Sequence, residues 1–165
     1  MAQKGVTVDG HLYIEKAINL GANAVVCEDF PSDKKEGVTY VQVADANVAL
    51  AIMASNYFDN PSKKMPLVGV TGTNGKTSIA CSLASLLSQL QGRVGIIGTL
   101  GYGVFSHAES AAGEDALISN QFDRLQSTGY TTPDAITTQQ CLAQIARLGC
   151  QSVVMEVSSH ALAQR

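Results

Sequence analysis

The stretch from Leu67 to Gln91 constrains this chain more than any other. Leu67-Val68-Gly69-Val70 is a short apolar run and predicts a strand. Thr71-Gly72-Thr73-Asn74-Gly75-Lys76-Thr77 is a glycine-rich loop ending in Lys-Thr. Beyond it, Ile79, Leu83, Leu86, Leu87 and Leu90 recur at helical spacing, so a helix with these residues on its apolar face is expected to end at Gly92. Strand, glycine loop and helix, in that order, form the setting in which a backbone can cradle phosphate.

The residue types suit that chemistry. Gly72 and Gly75 let the backbone bend with its N–H groups turned inward, and neither carries a Cβ to block a phosphate. A helix starting near Lys76 points the positive end of its dipole at the same place. Lys76 can reach β- and γ-phosphates as a mobile charge. The hydroxyl of Thr77 is the expected Mg²⁺ ligand. Gly72, Thr73, Asn74, Gly75, Lys76, Thr77 and Ser78 are therefore the expected nucleotide-binding set. The pattern departs from G-x-x-x-x-G-K-[ST] at one place: Val70 stands where glycine is required, with Gly69 one residue early. The competing expectation is a glycine turn capped by a helix, with no ligand.

Bulk properties narrow the rest. A chain of 165 residues makes one domain or two small ones, and 45% hydrophobic content supplies a core. A net charge of −3 offers no basic footprint, so no nucleic-acid partner is expected. No apolar run reaches membrane-spanning length and no signal peptide opens the chain, so a cytoplasmic protein without a membrane partner is expected. Cys27, Cys81, Cys141 and Cys150 lie apart in apolar runs and read as buried free thiols. His11, His107 and His160 show no metal-ligand spacing.

Taken in order, residues 1 to 10 carry no evident strand or cap. A helix is predicted over His11 to Leu20, with Ile14, Ala17 and Ile18 on one face and Gly21 ending it. Ala24 to Cys27 and Val38 to Val43 read as strands separated by a polar loop. Asp45 or Asn47 can cap a helix that turns Val48, Ala49, Ile52 and Met53 inward and ends near Phe58. Asp59 to Pro66 is the best linker, which divides the chain into 1–64 and 65–165. Val94 to Gly98 and Ser152 to Val157 continue the second half as strands. A helix begins at Asp134, carries Cys141, Leu142, Ile145 and Leu148 on one face, and ends at Gly149. The alternation predicts an α/β fold with a parallel sheet, and Thr99 to Gly103 leaves a strand's carboxyl end, where such sheets bind ligands. Phe105 to Tyr130 is polar with little periodicity and reads as a surface insertion.

Three further clusters each admit two readings. Glu156 closes an otherwise apolar strand and needs a partner, which is either Mg²⁺ near a γ-phosphate or an ion pair or helix cap. Thr131-Thr132-Pro133-Asp134 is either a ligand loop or simply a helix cap with its first turn. His160 is either catalytic or a hydrogen-bonded structural residue.

Together the strings resemble those of a family. Gly69 to Thr77, Ile97-Gly-Thr-Leu-Gly-Tyr102, Thr131-Thr-Pro-Asp-Ala135 and Met155-Glu-Val-Ser-Ser-His-Ala-Leu-Ala-Gln164 occur in this order and resemble the Mur ligase family. Asp9-Gly-His11 and Ala24 to Glu28 resemble the end of its N-terminal domain. The loop is shared with folylpolyglutamate-type ligases. The Glu-Val-Ser-Ser-His-Ala-Leu string favours the branch that adds the third peptide residue to UDP-N-acetylmuramoyl-L-Ala-D-Glu.

The resemblance implies an ATP-dependent amide ligase of peptidoglycan synthesis that works through an acyl phosphate. Residues 1–64 would be the C-terminal part of the UDP-binding domain, and 65–165 part of the ATP-binding central domain. Lys76 and Glu156 would be catalytic, with Thr77 and Glu156 holding Mg²⁺. Thr131, Thr132, Ser158 and Gln164 match positions that contact the UDP-muramoyl-dipeptide; Arg165 takes no role, because the family's arginine lies one residue further on. The second substrate would be diaminopimelate or lysine, and the parent enzyme a monomer. The family's uridine-gripping segment, carbamylated lysine and C-terminal domain have no counterpart here, so a fragment of a longer ligase, inactive alone, is expected. The competing expectations are another Mur or folylpolyglutamate-type ligase, and a non-catalytic nucleotide-binding module.

Overall fold

The computed structural model describes residues 1–5, 8–106 and 125–164, without the side chains of residues 160, 163 and 164. Its contacts divide the chain into two compact units, Met1–Met53 and Ala54–Arg165.

In the first unit Asp9 accepts from the His11 backbone N–H and caps a 3₁₀ turn, Gly10–Tyr13, which runs into helix α1, Ile14–Asn19. Strands β1, Ala24–Cys27, and β2, Thr39–Gln42, pair in parallel. Their inner residues Val25 and Cys27 pack with Ala2 and Ile14, against Ile18, Val38 and Tyr40. Helix α2, Ala46–Tyr57, begins at Asp45, whose carboxylate accepts from the Val48 N–H. His11 joins the parts: Nδ1 lies 2.6 Å from Asp9 Oδ1, and Nε2 accepts from the Glu28 N–H at 3.1 Å. That arrangement calls for the neutral Nδ1–H tautomer.

The second unit is a four-stranded sheet in the order β3-β6-β4-β5. Strand β3, Leu67–Val70, leads through the glycine loop to helix α3, Lys76–Gln91. Strands β4, Arg93–Gly98, and β5, Gly101–Ser106, form an antiparallel hairpin. Helix α4, Ala135–Arg147, leads to β6, Ser152–Glu156, and then to the short helix α5, Ser159–Gln164. β6 lies between β3 and β4 and is parallel to both.

Period-two alternation sends each strand's side chains to opposite layers. Val94, Ile96 and Val154 meet Ala80 and Ala84 of α3, whereas Ile97, Val153 and Met155 meet Cys141, Leu142 and Ile145 of α4. Covered on both faces, β4 and β6 read as nearly unbroken apolar runs. Gly95 allows the close approach of α4, since a Cβ there would lie 2.4 Å from Ile145 Cγ2.

Several expectations need correction. Asp9 is a cap, so the first ten residues do carry a structural signal. The predicted helix from His11 opens as a 3₁₀ turn, and Ala17 is exposed while Ile14 and Ile18 pack. In α2 the buried residues are Ala46 and Ala54, while Ile52 and Met53 are exposed. In α3 the buried residues are Ala80, Ala84 and Ser88; Leu83 and Leu87 pack partly, and Ile79, Leu86 and Leu90 stay exposed. Small side chains let the helix axis approach the sheet, and the close face then follows the alanines rather than the largest apolar residues. Phe105 belongs to β5 and is 2% exposed, so the expected insertion starts later than Phe105. Most of that expectation, 107–124, lies outside the described residues. Among the described residues no helix is long and apolar enough to cross a membrane. All four cysteines are free thiols; Cys27, Cys141 and Cys150 are buried and Cys81 is partly so. Burial pushes the Cys141 and Cys150 thiols up to about 11.

Candidate nucleotide and substrate site

The register of the parallel strands builds the site. Val70 pairs with Glu156 and Ile97 with Met155, so the carboxyl ends of β3, β6 and β4 lie side by side. The chain leaving each end supplies one part: the glycine loop after β3, Thr99 after β4 and Ser158 after β6.

The loop residues 71–75 are exposed, as a ligand loop requires. Gly75 takes φ +77° at the N-terminus of α3, a conformation that any side chain would strain. No side chain caps this end of α3, which leaves its first backbone N–H groups free for a ligand. Lys76 folds back so that Nζ donates to the Gly72 carbonyl at 2.8 Å, holding its charge over the loop. Ser78 is exposed on the first turn.

Glu156 is 1% exposed at the end of β6. Its Oε2 accepts from the Thr77 hydroxyl at 2.9 Å and the Thr99 hydroxyl at 3.2 Å, and its Oε1 from the Thr99 N–H at 2.9 Å. Among the described residues it forms no ion pair, so the expectation of a simple charge pair is not met. Gly98 makes room for it, because a Cβ there would lie 2.2 Å from Oε1. Nearby, burial and then the Glu156 charge raise the Cys81 thiol above its ordinary value.

Thr131 and Thr132 come to the same edge. The hydroxyls of Thr131 and Thr99 are 3.0 Å apart. The Thr132 hydroxyl donates to the Glu156 carbonyl at 3.1 Å and accepts from the Ser158 N–H at 2.9 Å. Ser158 Oγ in turn accepts from the Ala161 N–H and caps α5. Asp134 is indeed a cap, accepting from the N–H groups of Ile136 and Thr137 at the start of α4. The cap reading of the Thr-Thr-Pro-Asp string is met at Asp134, and Thr131 and Thr132 lie at the same sheet edge as Glu156. Gln164 ends α5, but its side chain and that of His160 lie outside the described part.

Among the described residues no three His, Cys, Asp or Glu side chains cluster as a metal site. A hydroxyl and a carboxylate 2.9 Å apart beside the exposed glycine loop nevertheless fit Mg²⁺, which takes oxygen ligands and keeps several waters. Thr99 and Gly98 are not among the expected site residues, although both lie in the Ile97–Tyr102 string and Thr99 leaves a strand's carboxyl end.

The profile of the Mur ligase middle domain matches residues 70–165, which take in this entire site. The chain belongs to the Mur ligase family. A second profile, described as the Mur ligase family catalytic domain, matches residues 1–58. Among curated relatives, the UDP-N-acetylmuramoyl-L-alanyl-D-glutamate–2,6-diaminopimelate ligase of Bacteroides fragilis is 42% identical over 100% of this chain and 30% of its own length. The ligase of the same name from Caldanaerobacter subterraneus is 42% identical over 99% of this chain and 30% of its own. A solved structure with that name matches at TM-score 0.64 and 26% identity, covering 94% of this chain and 28% of its own. This Mur ligase chain therefore spans about 30% of the length of the curated relatives it matches.

Proposed function

We propose that this Mur ligase segment is the phosphate-binding part of an ATP-dependent ligase that joins 2,6-diaminopimelate to UDP-N-acetylmuramoyl-L-Ala-D-Glu. The observation that carries the reading is the meeting of Thr77, from the glycine loop, with Glu156 beside the Thr131 hydroxyl. It brings a nucleotide loop, a candidate cation site and candidate substrate contacts to one sheet edge. The names of the relatives support the choice of substrate and of diaminopimelate over lysine.

In this reading the N–H groups of residues 72–78 and the ammonium of Lys76 hold the triphosphate. The γ-carboxylate of the D-Glu residue attacks the γ-phosphorus, the bond to the β-phosphate oxygen breaks, and ADP leaves. The amine of the incoming amino acid then attacks the acyl carbon, phosphate departs, and the nitrogen loses a proton. Carboxylate and triphosphate repel each other, so Lys76 must offset charge at their meeting point. Thr77 and Glu156 would hold Mg²⁺, which supplies further charge neutralisation when bound. Thr131, Thr132, Ser158 and Gln164 serve as substrate contacts. The Thr132 hydroxyl is already engaged inside the protein, so it acts mainly by fixing the loop. Orientation of two substrates accounts for about 7–11 kcal/mol in well-positioned systems.

The same reading assigns residues 1–64 to the end of the UDP-binding domain and 65–165 to the ATP-binding domain, in a monomeric cytoplasmic enzyme. The test supplies a ligase carrying this segment with ATP, Mg²⁺, UDP-muramoyl-dipeptide and either amino acid. Tripeptide formed with diaminopimelate is expected, and none from the 165-residue chain alone. Product with lysine only would move the amino-acid assignment. Turnover only with a folate and glutamate would overturn the substrate class, and ATP binding without any ligation would favour a nucleotide-binding module.

A further inference from the structure

We propose that Thr99 is a positioning residue: it holds the Glu156 carboxylate in place for a cation and ties it to the substrate-side hydroxyl of Thr131. This rests on the nucleotide–cation reading of the site. Thr99 binds both carboxylate oxygens, Oε1 through its N–H at 2.9 Å and Oε2 through its hydroxyl at 3.2 Å. The Thr131 hydroxyl lies 3.0 Å from the same Thr99 oxygen. The Thr99 hydroxyl has one proton; given to Glu156 Oε2, it leaves the Thr99 oxygen to accept from the Thr131 hydroxyl. The result is a directed path from Thr131 through Thr99 to Glu156.

The geometry around it makes Thr99 the adjustable member. Glu156 is pressed over the main chain of Gly98, where a Cβ would meet Oε1 at 2.2 Å and the carboxyl carbon at 2.8 Å. It cannot retreat in that direction. Thr77, on the other side, belongs to the loop that must also serve phosphate and cation. Thr99 lies outside that loop, so its hydroxyl can hold Oε2 while Thr77 turns its oxygen to a cation. Thr99 is itself exposed and supports no core, so substitution tests its hydrogen bonds rather than packing.

The test adds Mn²⁺ to a ligase carrying this segment, with and without ATP, and measures by electron paramagnetic resonance the Mn²⁺ held beyond what the same ATP binds without protein. Thr99→Val keeps the backbone N–H and the side-chain volume but removes the hydroxyl. It should weaken Mn²⁺ binding about tenfold, the scale of one hydrogen bond to a charged group. Thr99→Ser should restore binding to within about twofold, because the hydroxyl is what matters. ATP affinity in EDTA should be the same in all three, with every variant measured well below its melting temperature. Parent-like Mn²⁺ binding by Thr99→Val overturns the proposal, and so does an equal loss in Thr99→Ser. Failure of the unsubstituted ligase to hold Mn²⁺ with ATP overturns the nucleotide–cation reading, and this proposal with it.

Discussion

The Thr77 hydroxyl donates to Glu156 Oε2 across 2.9 Å, joining residues 79 positions apart in the chain. One lies in the first turn of the helix after the glycine loop, and the other ends an inner strand of the sheet. Their meeting places a hard oxygen pair beside a loop that offers N–H groups.

Glu156→Gln keeps the shape and removes the charge. The Thr99 N–H is a fixed donor to Oε1, so the amide must place its oxygen there. Its NH₂ then faces the hydroxyls of Thr77 and Thr99, which can rotate to accept. Stability should change by about 1 kcal/mol or less, while Mg²⁺ dependence of ATP binding rises sharply. A magnesium titration with unchanged dependence, together with a large fall in melting temperature, would make Glu156 a structural group.

Lys76→Ala removes a side chain whose only described contact is the Gly72 carbonyl. No core depends on it, so the melting temperature should stay within the range of surface substitutions, about 0.5 kcal/mol. ATP affinity should fall about tenfold or more, since a charge-assisted contact to phosphate is lost. Calorimetry with ATP and a thermal melt distinguish this from a folding defect; normal affinity would remove Lys76 from the site.

Gly98→Ala and Gly95→Ala form a matched pair. The first places a Cβ 2.2 Å from Glu156 Oε1, the second 2.4 Å from Ile145 Cγ2. Both should cost about 1–3 kcal/mol through overpacking. Only Gly98→Ala should also weaken Mn²⁺ binding by the folded protein, because only it displaces the carboxylate. Equal Mn²⁺ affinity in the two variants would separate the Gly98 contact from cation binding.

Asp134→Ala removes the N-cap of α4, where one carboxylate accepts from Ile136 N–H, Thr137 N–H and the Thr137 hydroxyl. The expected loss at pH 7 is about 0.5–2 kcal/mol. Burial by itself would raise the Asp134 pKa, but the hydrogen bonds from Thr137 and Ile136 outweigh it and the net shift is downward. A depressed folded value means the contribution is present above the ordinary carboxylate range and is lost as pH falls through the folded value. Denaturant midpoints of parent and variant should therefore converge in acid; a gap that widens below pH 4 would contradict the cap.

Much of this architecture is legible in the sequence because local rules and burial agree. β1 is found at Ala24–Cys27 as expected, α3 ends at Gly92, and Asp134 caps α4, each from a short-range signal. The misread faces of α2 and α3 share a cause. A helical repeat shows that residues share a face, but not how closely that face approaches its neighbour. In α3 the sheet is met by Ala80 and Ala84, and Leu90 is 82% exposed. β5 escaped notice because Gly101 and Gly103 interrupt its pattern, yet pairing with β4 supplies what local propensity lacks.

The candidate site divides along the same line. By itself the sequence determined the glycine loop between strand and helix, since its glycines, lysine and threonine are contiguous and act through local backbone geometry. It also singled out Glu156, because a carboxylate ending an apolar strand must find partners. Which partners it finds is a matter of tertiary structure alone. Placing β6 between β3 and β4 sets Glu156 against Thr77 on one side and Thr99 on the other. Strand order is decided by how the two helical layers cover the sheet, and no local stretch of residues encodes it.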